Sequence, residues 1–386
     1  MDKLEYLRIV KPDKYKSSSF LFGPRMTGKS SILARIPSAK NYDLLNPELE
    51  LRLRREPKIF WEEISSLPQG ATILLDEVQR VPALLDYVQM AIEKFSQRFI
   101  MSGSSARKLK RGAANPLGGR ALDLKLHPLC ASEIGETFSI DLALHYGTLP
   151  RIYQLAAAGA GEEARLILKS YYTTYIKEEI QAEALVRNLG AFQRFLDVAA
   201  QAHAGIIEYS NISRDCGVPD NTVKEYFMLL EDTLIGESLW QWSGSERKKS
   251  HPKFYFFDCG VVRAIQNRLS DPPLSRELDL LFEGWFIREL IRLRDYHQKD
   301  HRFAYWRERD QEIDLLVLNS KGIALAIECK SSASEFSEAP LRSFRKRFPK
   351  VPLIVASLKD QSRRTLESGV TILPWKEALE AYLALT

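Results

Sequence analysis

The chain has 386 residues with a net charge of +5, 45% hydrophobic and 27% charged residues, and at roughly 100–200 residues per domain this predicts two or three globular domains. Such a composition excludes a disordered tail protein, a collagen-like chain and a disulfide scaffold, while the weak positive charge admits nucleic acid without requiring it. Cys130, Cys216, Cys259 and Cys329 lie far apart without CxxC spacing, and neither a signal-peptide core nor a run of about 18 apolar residues occurs, so a cytoplasmic setting without a membrane partner is expected.

From Phe20 to Arg107, short apolar runs (SSFLF, ATILL, RFIMS) alternate with helical patterns beginning at Lys29 and near Leu84 to Phe95. That rhythm predicts an α/β domain with a parallel sheet and crossover helices. From Glu162 to Ala202, Leu166, Ile167, Tyr171, Tyr175 and Ile176 recur at three- and four-residue steps, as in a helical connector. Residues 206–265 then read as helix, turn, helix and two strands around SGSERKKSHP, the pattern of a winged helix. SDPPLSRE, with Pro272 and Pro273, reads as a linker. A helix at Leu278 to Leu293, a hairpin at Glu312 to Lys330 and alternating helix and strand complete the chain. The expected domains are residues 1–160, 161–268 and 269–386.

Residues 23–30, GPRMTGKS, fit GxxxxGK[ST] between a strand and a helix, the context a phosphate-binding loop requires. Gly23, Pro24, Arg25, Met26, Thr27, Gly28, Lys29, Ser30 and Ser31 form the expected ATP contact. The glycines let backbone N–H groups turn toward phosphate, Lys29 meets the β- and γ-phosphates, and Ser30 offers its hydroxyl to Mg²⁺. ATILLDEVQR follows, an apolar strand whose end places Asp76 to hold Mg²⁺ through water and Glu77 to polarise the attacking water. RFIMSGSSAR puts Ser104 or Ser105 at a third strand end to sense the γ-phosphate, with Arg107 beyond. Arg120, in LGGR, is a candidate to stabilise the transferring phosphoryl, in its own chain or in a neighbouring subunit of a homo-oligomer.

In the predicted winged helix, a turn at Gly217 to Asn221 precedes a helix whose start reads as a capping box, Thr222 to Glu225. Its polar face carries Lys224, Glu225, Glu231 and Asp232, poor material for reading bases. The basic loop with Arg247, Lys248, Lys249 and Lys253 suits phosphates, so DNA binding is expected to be indifferent to sequence. Arg342, Arg345, Lys346, Arg347 and Lys350 form a second basic segment.

In the hairpin, a three-residue turn at Ser320, Lys321 and Gly322 would pair Asn319 with Ile323 and set Asp314 opposite Glu328 and Glu312 opposite Lys330. All four charges would then share one face, away from Leu315, Ile327 and Cys329. Metal-assisted phosphodiester hydrolysis suits this set: Asp314 and Glu328 as Mg²⁺ ligands, Glu283 completing the shell, and Lys330 positioning or activating the water. The six histidines show no ligand spacing, and GxSxG is absent.

GPRMTGKS, ILLDEVQR, MSGSSAR and GGRALDLKLHPL, in this order, resemble AAA-type ATPases (AAA_14-like) whose C-terminal half is a domain of unknown function (DUF4143-like). HYGTLPRIY, FYFFDCGVVRAI and FEGWFIREL extend the resemblance over nearly the whole chain, although the family usually carries glycine where this chain has Tyr146. The string D-x13-E-x-K looks like the PD-(D/E)xK nuclease superfamily. Together these resemblances imply a P-loop ATPase domain, a helical and winged-helix part, and an α/β nuclease-like domain. The function expected is ATP hydrolysis coupled to a DNA-binding, nuclease-active or nuclease-like half. The alternative is an ATP-dependent switch that binds a partner protein through a catalytically inactive nuclease-like domain.

Overall fold

The computed structural model describes residues 6–104, 117–176, 188–243, 251–332 and 338–385. Five strands, β1 (Ser18–Phe22), β2 (Lys40–Asp43), β3 (Thr72–Asp76), β4 (Arg98–Gly103) and β5 (Ala121–Lys125), form one sheet in the order β2-β3-β4-β1-β5. Every pairing is parallel, with Phe22 beside Gly103 and Leu75 beside Met101. Helices cover both faces of such a sheet, so its central strands are apolar throughout. All five residues of β1 are buried. Parallel register also brings the C-terminal ends of β1, β3 and β4 to one edge, where ligands collect in open α/β sheets.

Helices at 140–146, 150–157, 161–170, 189–201, 209–216, 220–232 and 259–265 follow, with a two-stranded antiparallel ribbon of β6 (Gly236–Leu239) and β7 (Lys253–Phe256). Val223, Phe227 and Leu230 share a core with Phe195, Phe254 and Val262. The helix 220–232 begins at Asp220 behind Pro219 without a side-chain cap, so the capping box expected from Thr222 to Glu225 is not formed. Proline's fixed φ suits that entry.

Expected to be a linker, SDPPLSRE is instead held: Arg263 bonds the carbonyls of Arg268 and Asp271, and a 22-residue helix, Ser275–Tyr296, already begins inside it. Trp285, Phe286, Leu290 and Leu293 of that long helix are buried in one continuous cluster. The cluster runs from Leu21, Leu74 and Leu124 of the first sheet to Leu315, Ile327 and Ile354 of a second. Arg292 fastens it further, donating to the Leu129 carbonyl at 2.9 Å, Thr148 Oγ1 at 3.0 Å and the Phe257 carbonyl at 3.1 Å.

The second sheet has the order β12-β13-β11-β10-β9-β8, from β8 (Arg302–Glu308), β9 (Gln311–Asn319), β10 (Gly322–Lys330), β11 (Leu353–Ser357), β12 (Arg364–Thr365) and β13 (Thr371–Pro374). The β9–β10 turn differs from expectation. Asn319 pairs with Gly322, whose φ is +117°, across two turn residues, and an irregularity between Ile323 and Leu325 then shifts the register. Beyond it Ile327 pairs with Leu315, which carries Asp314 and Glu328 to facing positions.

Candidate functional site

The loop after β1 is built for close backbone approach. A Cβ on Gly23 would lie 2.2 Å from the Leu126 carbonyl oxygen, and Gly28 has φ +97°, a region costly for side-chain-bearing residues. Met26 accepts a positive φ of 65°. Thr27 donates to the Pro24 carbonyl at 2.8 Å, and the Arg25 carbonyl accepts from Tyr171 at 3.4 Å. Lys29 is buried, its ammonium donating to the carbonyls of Gly23 at 2.8 Å and Pro24 at 3.2 Å and standing 3.6 Å from Glu77. Ser30 and Ser31 are exposed.

At the end of β3, Glu77 holds a left-handed conformation, φ +58°. A non-glycine residue there stores strain of about 1–3 kcal/mol, which surrounding contacts must offset. They do so through residues that sequence reasoning missed. The Glu77 N–H donates to Ser102 Oγ at 3.0 Å, Ser102 donates to Asp76 Oδ1, and Gln79 Nε2 donates to both Glu77 Oε2 and Ser104 Oγ. Lys29, Asp76, Glu77 and Ser104 therefore gather at one sheet edge. The signal for Gln79 was its place two residues after Glu77; Ser102 stood in plain view within β4, yet nothing marked it. Buried cation, acids and turned backbone fit a magnesium–nucleotide, with Ser30 and Asp76 the residues that would hold the metal.

Arg8, also missed, clamps this loop from outside. Its guanidinium donates to the Thr27 carbonyl at 2.6 Å, the His127 carbonyl at 2.6 Å, Tyr296 Oη at 2.9 Å and Glu133 Oε1 at 2.9 Å. No motif surrounds Arg8, so no local signal announces it.

Arg120 departs from expectation. Ala121 pairs with Ser18, which sets Arg120 at the opposite edge of the parallel sheet, about 20 Å from the start of the phosphate loop at ~3.3 Å per residue. Its guanidinium pairs with Glu93 at 2.8 Å. Strand direction therefore separates Arg120 from its own chain's phosphate loop. Ser105, Arg107, Arg247, Lys248 and Lys249 lie outside the described residues.

A second charged cluster forms between β7, the long helix and the β9–β10 hairpin. Lys253, expected in a solvated basic loop, is 3% exposed. Its ammonium lies 2.8 Å from Glu283, 2.5 Å from Glu312 and 3.1 Å from Asp314. Tyr255 donates to Glu283 at 2.7 Å, and the Cys329 N–H to Asp314 Oδ2 at 2.9 Å. Lys330 is paired at 3.0 Å with Glu328, two residues earlier on the same strand. Burial, then the charge of Asp314, pushes Glu283 up to about 7 and Glu328 up to about 8. Burial opposes the charge on Lys253, but Glu283, Tyr255, Asp314 and Glu312 outweigh it and hold the ammonium well above its ordinary range. Among the described residues no group of three or more such side chains is arranged to hold a metal ion. Glu283 and Asp314 instead hold the Lys253 ammonium and Glu328 holds Lys330, so the three do not form the expected Mg²⁺ shell.

Of the second basic segment, Arg345 donates to the Ser368 and Gly369 carbonyls and Arg347 pairs with Glu308 at 3.2 Å; Arg342, Lys346 and Lys350 are exposed. Among the described residues no helix is long and apolar enough to cross a membrane.

Residues 16–135 match the family model of an AAA domain, and residues 137–271 and 279–378 match two domains of unknown function, DUF8612 and DUF4143. Uncharacterised proteins of Mycobacterium tuberculosis and Mycobacterium bovis are each 25% identical over 84% of this chain and 72% of their own length. One from Haemophilus influenzae is 22% identical over 53% of this chain and 55% of its own. Among solved structures, the Aeropyrum pernix ORC1 protein in complex with DNA aligns with a TM-score of 0.34 at 12% identity, over 70% of this chain and 91% of that one. The ORC2 protein of that organism, with ADPNP and ADP, gives 0.24 at 12% identity over 66% and 89%. The N-terminal region is a parallel-sheet α/β domain whose residues 16–135 match the AAA family model, followed by helical and further sheet regions.

Proposed function

We propose that the chain binds and hydrolyses ATP at the loop Gly23–Ser30 and passes its nucleotide state to a C-terminal half that engages DNA without sequence choice. The observation that carries the reading is the buried Lys29 ammonium, 3.6 Å from Glu77, at an edge that also holds Asp76 and Ser104. Main-chain carbonyls are weak competitors for this ammonium, so phosphate oxygens readily replace them. Lys29 then meets the terminal phosphates, Glu77 orients the attacking water, and Ser104 meets the γ-phosphate. Mg²⁺ supplies positive charge against the phosphates when bound. Arg8 joins the loop to Tyr296 of the long helix, a route by which loop position reaches the C-terminal half. Arg342, Lys346 and Lys350 supply phosphate contacts, and Arg120, remote from its own loop, is available to a neighbouring copy in a homo-oligomer.

A second reading, an ATP-dependent switch that binds a partner protein, is favoured by the occupied acidic cluster and by the exposed acids on the 220–232 helix. ATPase rates with and without single- and double-stranded DNA separate the two. Stimulation by DNA that fades with salt supports the first; a rate and a binding isotherm indifferent to every DNA overturn it in favour of the second.

A further inference from the structure

The Lys253 ammonium donates hydrogen bonds to Glu283 at 2.8 Å and Asp314 at 3.1 Å and forms an ion pair with Glu312 at 2.5 Å. The lysine comes from β7, whereas the acids come from the long helix and β9. The cluster is therefore assembled from separate elements, and its cation is delivered by a third. A second observation shows that the cluster retains unused capacity for positive charge. Glu328 is 5% exposed, and its Oε2 is buried without a hydrogen-bond partner in the field of Asp314 and Glu283. Four carboxylates face two ammonium groups, Lys253 and Lys330. A buried carboxylate oxygen without a donor costs free energy that either a proton or a cation would relieve.

The ribbon bearing Lys253 is also tied to the second sheet by two main-chain bonds and one side-chain bond. Tyr305 N–H donates to the Trp240 carbonyl at 3.1 Å, Trp242 N–H donates to the Tyr305 carbonyl at 2.6 Å, and Tyr305 Oη donates to the His251 carbonyl at 2.5 Å. The ammonium and the bonds to β8 thus belong to one interface between the ribbon and the second sheet.

We infer that Lys253 is the resident cation of this pocket and excludes a divalent metal from it, so that the pocket takes Mg²⁺ or Mn²⁺ only when the β6–β7 ribbon withdraws or the lysine is removed. The docked chain is then closed to metal-dependent phosphodiester cleavage. The acids instead lock the ribbon onto the C-terminal sheet. This inference is independent of ATP hydrolysis at Lys29, and its test reads metal rather than turnover.

Mn²⁺ binding to the full chain, measured without nucleotide by electron paramagnetic resonance, tests it. Wild type and Asp314→Asn are expected to bind the same number of ions, Lys253→Met one more per chain, and Lys253→Met/Asp314→Asn to lose that extra ion. A wild-type ion removed by Asp314→Asn would overturn the inference, as would a folded Lys253→Met that gains none. Because Lys253→Met risks unfolding, a wild-type measurement stands beside it. Reductive methylation mapped by mass spectrometry should leave Lys253 unmodified, with or without millimolar Mn²⁺. Methylation that rises when Mn²⁺ is added would show that the metal displaces the lysine from the docked state, and would sink the exclusion.

Discussion

Two buried lysines dominate the two halves of this molecule, and their surroundings differ in kind. Lys29 rests on two main-chain carbonyls with one carboxylate at 3.6 Å. Lys253 is enclosed by three carboxylates within 3.1 Å. A buried ammonium leaning on neutral acceptors remains strongly attractive to an anion, whereas one neutralised by carboxylates has its charge answered within the protein. The same side chain is thus a ligand-binding group at one end and a fastening at the other. Burial alone does not distinguish them; the partners do.

The largest effect should come from Lys29→Ala, which removes the charge aimed at the terminal phosphates. ATP turnover is expected to fall at least about 100-fold, about 2.7 kcal/mol of transition-state stabilisation, with an unchanged circular dichroism spectrum. Glu77→Gln should reduce turnover by about 100-fold while nucleotide affinity survives. Equal turnover in Glu77→Gln and wild type would remove Glu77 from the reaction.

Lys253→Met should behave in the opposite way, lowering stability by about 3–5 kcal/mol in urea titration because several buried acids lose their counter-ion. Adding Asp314→Asn or Glu283→Gln should recover part of the loss. A Lys253→Met protein as stable as wild type would abolish the contrast between the two lysines.

A pH series sharpens the same contrast with buried groups that must stay neutral, His127 just after β5 and His203 just after the 189–201 helix. Burial, then the nearby Arg288 charge, pushes His203 down to about 3; burial also pushes His127 down to about 4, although Asp295 opposes it. A depressed folded pKa means that the unfolded chain binds more protons. The stability from these histidines is present above the ordinary value of about 6.5 and is lost as pH falls from there toward 4. Each contributes a slope of up to about 1.4 kcal/mol per pH unit. His203→Gln should flatten the dependence of the urea midpoint between neutral pH and pH ~5; an unchanged slope would show that His203 titrates normally.

The smallest effect concerns Arg120. Its exposed pair with Glu93 is worth about 0–1 kcal/mol, so Arg120→Ala should leave stability within that range. If the arginine serves a neighbouring subunit, the variant should lower ATPase rate only at protein concentrations that promote self-association.

Much of the N-terminal region was legible because its signals are local. The spacing of Gly23, Gly28, Lys29 and Ser30 describes one loop, and an apolar run ending in Asp76 and Glu77 describes one strand end. Chain order and parallel pairing then bring them together. Arg8 and Ser102 stayed hidden, since a single guanidinium or hydroxyl has no periodicity, and the distance of Arg120 from its own loop was not legible because proximity in sequence says nothing about which end of a strand a residue lies at. In the hairpin, period-two alternation placed Asp314 opposite Glu328, while the two-residue turn and the irregularity near Leu325 depended on backbone geometry beyond that pattern.

Local chemistry along the chain specifies the phosphate loop, the acids of β3 and the charged face of the β9–β10 hairpin, since each follows from steric and periodic rules acting over a few residues. Only the tertiary structure decided the occupant of that charged face. Lys253 reaches Glu283 and Asp314 across 30 and 61 positions of chain, and it does so because the β6–β7 ribbon docks on β8 beside the buried long helix. The charge of a lysine is written in the sequence, but whether it meets water, phosphate or carboxylate depends on which apolar surfaces close around it.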